Sequence, residues 1–326
     1  MPKPETKTKQ KQKRKLIILP KVEDIVHFKT AGKEKANNDE LNKVREHVIA
    51  TIFHLTSSGY FQHEEHGEEW TNIHKKFSDT IATLCEVPFT KVAIKHMGGM
   101  SYNYDFLLSF YDSDKNIIKE VKLEFKHNNS DVSDLVQFLE LYDKDCKHKF
   151  EICETSYAEY YYDNYLPQYI ACDESITMPP PEKEEYLKNV YDIKYKHPFF
   201  SHLHERKENQ KKEKQQIANE SVKTYIEKFS ESFKFDKIVE KIKASQTDKV
   251  FLLWDCENFH IQRVDVQNLA VKGIKKVEKL FFDLETDKFQ YDIRVRLNWG
   301  NSNGLANPRW KFSFISKLAK LVPALI

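Results

Sequence analysis

The stretch from Asn103 to Asn128, NYDFLLSFYDSDKNIIKEVKLEFKHN, reads as two β-strands joined by a polar turn, yet Asp105, Glu124 and Lys126 stand among its hydrophobic residues. With Asp114-Lys115, or Ser113 to Asn116, as the turn, antiparallel pairing sets Asp105 opposite Glu124 and Phe106 opposite Leu123. Directly opposed residues project from one face, and Lys126, two positions beyond Glu124, joins them there. The other face carries Phe106, Leu108 and Phe110 against Val121, Leu123 and Phe125, which predicts a buried surface. One face anchors the hairpin and the other gathers two carboxylates and an ammonium.

Two carboxylates on neighbouring strands suit a hard divalent cation such as Mg²⁺, which takes a few carboxylate oxygens and leaves its other positions to water and phosphate. An adjacent lysine adds a charge able to offset what develops on a phosphodiester during hydrolysis. The plain alternative is a solvated hairpin face with cross-strand ion pairs. Because 31% of the chain is charged, the tripeptide EFK alone carries little weight, and strand placement with a facing aspartate carries the rest.

Outward from the hairpin, NNDELNKVREHVIATIFHLTSSG has helical spacing at Leu41, Val44, Val48, Ile52 and Leu55, and EEWTNIHKKFSDTIATL has it at Trp70, Ile73, Phe77, Ile81 and Leu84. KVAIKHM predicts a strand before the hairpin. After it, SDVSDLVQFLELYDK predicts a helix with Leu135, Phe138, Leu139 and Tyr142 on one face, and KFEIC a short strand. SYAEYYYDNYLPQYIA predicts an aromatic helix, and the three prolines of TMPPPEKEEY a rigid connector. The core order is therefore helix, three strands, helix, strand.

Asp105, Glu124 and Lys126 in that order of elements resemble the PD-(D/E)XK nuclease superfamily, with Tyr104 in place of the proline before the aspartate. The resemblance spans about Glu40 to Asp173, under half of the chain. It implies a mixed α/β restriction-endonuclease-like αβββαβ core and Mg²⁺-dependent cleavage of DNA, with Mn²⁺ as a substitute ion. It also implies Asp105 and Glu124 as metal ligands and Lys126 as the catalytic lysine. A further glutamate from the first core helix is implied, with Glu69 and Glu46 as candidates and Glu69 as the third ligand. Gln137 occupies the place of a supporting polar residue on the following helix.

The expected organisation is a basic arm over 1–35, the nuclease core over 36–178, a charged helical connector over 179–245 and an antiparallel β-rich module over 246–326. The arm, Lys3 to Lys15, has no hydrophobic residue and reads as a solubilising tail, a nucleic-acid contact or an import signal. In the connector, HERKENQKKEKQQ reads as a solvated helix face or loop. In the last module, Arg294, Arg296, Arg309 and Lys311 interleave with Trp299 and Trp310 around WGNSNGLANP; with Lys122 they form the candidate DNA-contacting set, against the simpler reading of a two-tryptophan core under a long hairpin.

Three other patterns are weaker. The histidines of HEEHGEEW, His63 and His66, have the wrong spacing for a zincin helix, and His202 and His204 of FSHLHE lack a third ligand nearby. Asp255 and Asn258 of KVFLLWDCENFH resemble the first strand end of an NYN/PIN-type ribonuclease, but the chain beyond them reads as β-meander.

Bulk composition sets the outer limits. With 52 basic against 50 acidic residues, any basic surface must be local. The 5 cysteines are scattered without metal-site or disulfide-framework spacing, which favours a reducing intracellular compartment, cytoplasm or nucleus. LIILP is too short for a signal core, and no run is long enough for a membrane span. The bias toward Lys, Asn, Tyr and Phe suits an AT-rich genome, such as that of a large DNA virus or a protist. A homodimer would serve two-fold cleavage of duplex DNA. The reading of another class is a non-catalytic nucleic-acid-binding protein that keeps the same fold.

Overall fold

The computed structural model describes residues 18–29, 35–55, 58–97, 102–135, 139–140, 151–192, 194–278, 280–301 and 304–317. The basic arm Lys3 to Lys15 and Gln137 lie outside the described residues. The chain is mixed α/β, with one mixed sheet and one antiparallel sheet.

The first sheet grows from the hairpin. Strand β1 (Lys91–His96) pairs antiparallel with β2 (Phe106–Tyr111), which pairs antiparallel with β3 (Ile117–His127). The β2–β3 register runs Phe106 to Leu123 through Phe110 to Lys119, the pairing expected from the sequence. It slips only at the turn, where Tyr111 pairs with Ile117 and leaves a bulge. There Asp112 accepts from the Asn116 backbone N–H at 2.8 Å, and Lys115 takes a left-handed φ of 67°.

Along β3, Val121, Leu123 and Phe125 face a core shared with two helices, α1 (Lys35–Thr51) and α2 (Gly67–Ala82). The helical spacing foreseen for both helices is realised: Val48, Ile52 and Leu55, with Trp70, Ile73, Phe77 and Ile81, are buried in that core.

Beyond β3 the structure departs from expectation. Of the helix predicted over SDVSDLVQFLELYDK, the described residues up to Leu135 hold a single 3₁₀ turn, Val132–Asp134, capped by Asp131, whose carboxylate accepts from the Ser133 N–H at 2.7 Å. Gln262 holds the turn from outside, accepting from the Val132 N–H at 2.8 Å and donating to Asp131 at 2.9 Å. Further on, β4 (Leu139–Glu140) joins the second sheet. A tertiary contact and the Asx cap thus override helical spacing.

The described end of KFEIC, Glu151 to Cys153, is not strand. There the Ile152 carbonyl accepts from the Lys234 N–H at 2.7 Å. The strand beside β3 is instead β5 (Lys249–Trp254), pairing in parallel from Lys122–Lys249 to His127–Trp254. Parallel neighbours require a crossover, and here it holds the whole helical region.

That region comprises α3 (Tyr157–Asn164), α4 (Leu166–Ala171), α5 (Lys183–Asn189), α6 (Pro198–Glu205), α7 (Lys211–Phe229) and α8 (Phe235–Gln246). The last of these leads directly into β5. Strand β6 (Phe259–Arg263) then pairs antiparallel with β5, so the first two strands within the span expected for the C-terminal module belong to the first sheet. All six residues of β5 are buried; Val250, Leu252 and Trp254 enter the core against α1 and α2, while Phe251 and Leu253 enter a second core. Burial on both faces is what an apolar run such as VFLLW provides.

The second sheet is the expected meander, β7 (Val271–Val277), β8 (Phe281–Thr286), β9 (Tyr291–Asn301) and β10 (Ala306–Ser316), with β4 added beside β10. Phe282, Leu284, Ile293, Val295, Phe312 and Phe314 point into the second core with tyrosines of α3, α4 and α7. Trp299 packs on Tyr157 and Tyr161, and Trp310 on Tyr225 and Phe282, so both tryptophans serve packing. No helix among the described residues is long and apolar enough to cross a membrane.

Candidate active site

Asp105 lies one residue before β2, where the hairpin strands end their regular pairing. Its backbone N–H donates to the Leu123 carbonyl at 2.8 Å, and its Oδ2 accepts from the Phe125 backbone N–H at 2.8 Å. Glu124 follows Leu123, the partner of Phe106, and its charge acts on Asp105. Lys126 Nζ is 2.7 Å from Glu124 Oε1. The three charges of the opening stretch are therefore brought together.

A fourth member comes from β5. Lys249 Nζ ion-pairs with Glu124 Oε2 and donates to the Asn103 carbonyl at 3.2 Å. Both Lys249 and Glu124 are buried. The sequence offered one signal for Lys249, a lysine heading an otherwise apolar strand; the parallel pairing that aims it at Glu124 was not legible.

Glu46, on α1, is the glutamate whose charge acts on Asp105 and Lys126, and its Oε2 is 3.1 Å from Nε2 of His96 at the end of β1. Glu69 sits elsewhere. In the first turn of α2 it ion-pairs with Lys29, and its Oε2 is 3.6 Å from His66 Nδ1. Of the two helix glutamates, Glu46 is the one the fold carries to the hairpin.

The electrostatics are those of a partly buried cluster with mixed charges. Burial pushes the Asp105 carboxyl up to about 6, against the opposing pull of Lys126 and with the help of Glu124 and Glu46. Burial also acts on Glu124, but the ammonium groups of Lys126 and Lys249 outweigh it and hold that carboxyl below the ordinary range. Burial lowers Lys249, while Lys126, also opposed by burial, is raised by Glu124 and Asp105.

Among the described residues no three His, Cys, Asp or Glu side chains already form a ready metal cage. The donor chemistry still fits Mg²⁺, which is bound through one or two carboxylates with water completing its shell. Asp105 and Glu124 are the pair that fits.

The remaining candidates lie on other strands or face other partners. Lys122 is on β3, in register with Leu107 and Lys249. Arg294, Arg296, Arg309 and Lys311 share the face of the second sheet turned away from its core, since Arg296 pairs with Lys311 and Arg294 with Ser313 across β9 and β10. Arg294 is committed to Asp283 through two hydrogen bonds of 2.8 and 2.9 Å and lies 3.8 Å over the Phe281 ring.

Asp255 closes a turn by accepting from the backbone N–H groups of Glu257 and Asn258, and β6 runs antiparallel to β5, unlike the strand-helix alternation of an NYN/PIN domain. His63 accepts from the Glu65 and His66 N–H groups at 3.3 Å, as a turn residue. His202 and His204 are on helix α6, where His202 Nε2 accepts from the Thr177 and Met178 N–H groups. The sequence matches no protein-family model and none of the curated proteins.

Proposed function

We propose that this chain is a metal-dependent deoxyribonuclease of the PD-(D/E)XK type, hydrolysing DNA phosphodiester bonds. The observation that carries the reading is the convergence of Asp105, Glu124 and Lys126 at one end of the hairpin, with Asp105 bonded to the Phe125 N–H between the other two and within reach of both their charges. The antiparallel run β1, β2 and β3, followed after the helical region by a parallel β5, supports a restriction-endonuclease-like core. Glu46 takes the helix-glutamate role in preference to Glu69, because it is the one within electrostatic reach of Asp105.

Asp105 and Glu124 would hold Mg²⁺ or Mn²⁺, which when bound supplies Lewis-acid polarisation of the phosphate and activation of water. The Phe125 N–H holds Asp105 through its Oδ2. Lys126, partly exposed, offers its ammonium to the charge that builds on the phosphate oxygens. Arg296, Arg309 and Lys311 would position the duplex backbone from the second sheet.

A second reading rests on one observation. Both oxygens of Glu124 are neutralised by lysines, which suits a protein that kept the fold and binds nucleic acid without cutting it. Plasmid nicking separates the two: the nuclease reading expects Mg²⁺- or Mn²⁺-dependent nicks abolished by EDTA and by Asp105→Asn. DNA binding with no nicking in either metal supports the second.

A further inference from the structure

Glu124 carries an ammonium on each carboxylate oxygen, and the two lysines differ in how they are held. The Lys249 side chain is 2% exposed, and it reaches Oε2 from β5 while also donating to the Asn103 carbonyl. Asn103 is itself tied down, its side-chain amide donating at 2.6 Å to the carbonyl of Ser245, in the last turn of the helix that leads into β5. Lys249 is thus locked by the strand it heads and by the loop before Asp105. The Lys126 side chain is 30% exposed and meets Oε1 from the open side.

We propose that Lys249 is a positioning residue: it clamps Glu124 Oε2, so that Oε1 alone is exchangeable, between the Lys126 ammonium and a divalent cation. This rests on the metal-dependent reading above. A buried carboxylate gripped on one oxygen by an immobile partner keeps its orientation when the other partner leaves. Withdrawal of Lys126 then opens Oε1 and frees the ammonium for a phosphate in the same movement. In the closed arrangement Lys126 covers the ligand oxygen that the ion needs, so metal affinity and the position of Lys126 are linked.

The test is Mn²⁺ binding to the full chain without nucleic acid, followed by the electron paramagnetic resonance of the free ion. Lys126→Met should bind Mn²⁺ at least about threefold tighter, since a cation competing for Oε1 is gone. Lys249→Met should bind about tenfold weaker or worse, the cost of removing a group that orients a ligand. Lys249→Arg, which keeps a donor at Oε2, should stay within about threefold of the parent. A purely structural Lys249 would lower the melting temperature of its variants and leave the Mn²⁺ affinity of the folded protein at the parental value, which overturns the clamp. If Lys249→Met does not fold, Lys126→Met decides: unchanged or weaker Mn²⁺ binding there overturns the exchange. A parent protein that binds no Mn²⁺ overturns the metal reading and the clamp together, whereas parental binding with indifferent variants overturns the clamp alone.

Discussion

The backbone N–H of Phe125 donates to the carboxylate of Asp105 at 2.8 Å, so the residue between Glu124 and Lys126 holds the third charge of the set. This contact ties the site to the packing beneath it, because the Phe125 side chain is buried against α1 and α2 while its N–H points to the acid. Burial makes that acid costly to ionise.

Asp105 provides the first prediction. Its carboxyl is raised to about 6 from the ordinary 3.8, so its contribution to stability is fully present below the unfolded value and is lost as pH rises through about 6. At pH 7.5 the ionised group therefore destabilises the fold, by on the order of 3 kcal/mol. Asp105→Asn, which mimics the neutral form and can still accept from Phe125, should raise stability at pH 7.5 while abolishing cleavage, with the gain disappearing near pH 4. Thermal melts across pH measure this; an Asn variant less stable than the parent at pH 7.5 would count against it.

Lys126 and Phe125 separate catalysis from folding. Lys126→Ala leaves Glu124 paired with Lys249 and removes little packing, so it should cost about 1–2 kcal/mol of stability. Its cleavage rate should fall by roughly 100-fold or more, with DNA affinity in Ca²⁺ little changed. Phe125→Ala hollows the buried face and should cost on the order of 3 kcal/mol. Urea melts beside single-turnover cleavage would distinguish the two, and a Lys126→Ala protein cutting at the parental rate would remove lysine from the mechanism.

The hairpin was legible because period-2 alternation and a polar turn fix register locally, and the pairing from Phe106–Leu123 to Phe110–Lys119 follows from it. Lys249 was not legible, since its contact depends on a parallel strand joined to β3 through the entire helical region. The run VFLLW reads as a strand, but an apolar run does not name its neighbour, and it pairs with β3 and not with the C-terminal meander. Glu46 and Glu69 were not separable for a related reason: both lie on amphipathic helices, and the contact of Glu46 with His96 at the end of β1 depends on tertiary packing. The start of the helix predicted at 130–144 gave way to the grip of Gln262 on Asp131 and Val132, a contact between segments far apart in the chain.

Lys214 lies in the charged run HERKENQKKEKQQ, which reads as solvated, yet it is 1% exposed and ion-paired at 2.8 Å with Asp173, itself 5% exposed. It also donates to the Arg206 carbonyl at 2.8 Å. Removing one partner strands a buried charge, so Lys214→Met or Asp173→Asn should each cost about 3–5 kcal/mol. The Lys214→Met/Asp173→Asn double variant should recover much of that loss. Denaturant midpoints for the four proteins form a double-mutant cycle, and additive losses would show that the charges are not coupled.

The basic face of the second sheet gives the last prediction, because its arginines are not equivalent. Arg294 is held by both oxygens of Asp283, which is 6% exposed, so Arg294→Ala leaves a buried carboxylate unpaired and should act on stability, by about 2–4 kcal/mol. Arg296 and Lys311 are cross-strand partners on that face, and Arg296 lies 5.6 Å over the Phe281 ring. If this face carries the duplex backbone, Arg296→Ala and Lys311→Ala should each weaken DNA binding to a similar degree across unrelated sequences. Each should also reduce the slope of log K against log salt by about 1. Arg294→Ala should leave that slope near the parental value at temperatures where it remains folded. Slopes measured in Ca²⁺, which permits binding without cleavage, decide between the roles: an unchanged slope in both Arg296→Ala and Lys311→Ala would take the second sheet out of the DNA interface and leave it a packing element around Trp299 and Trp310.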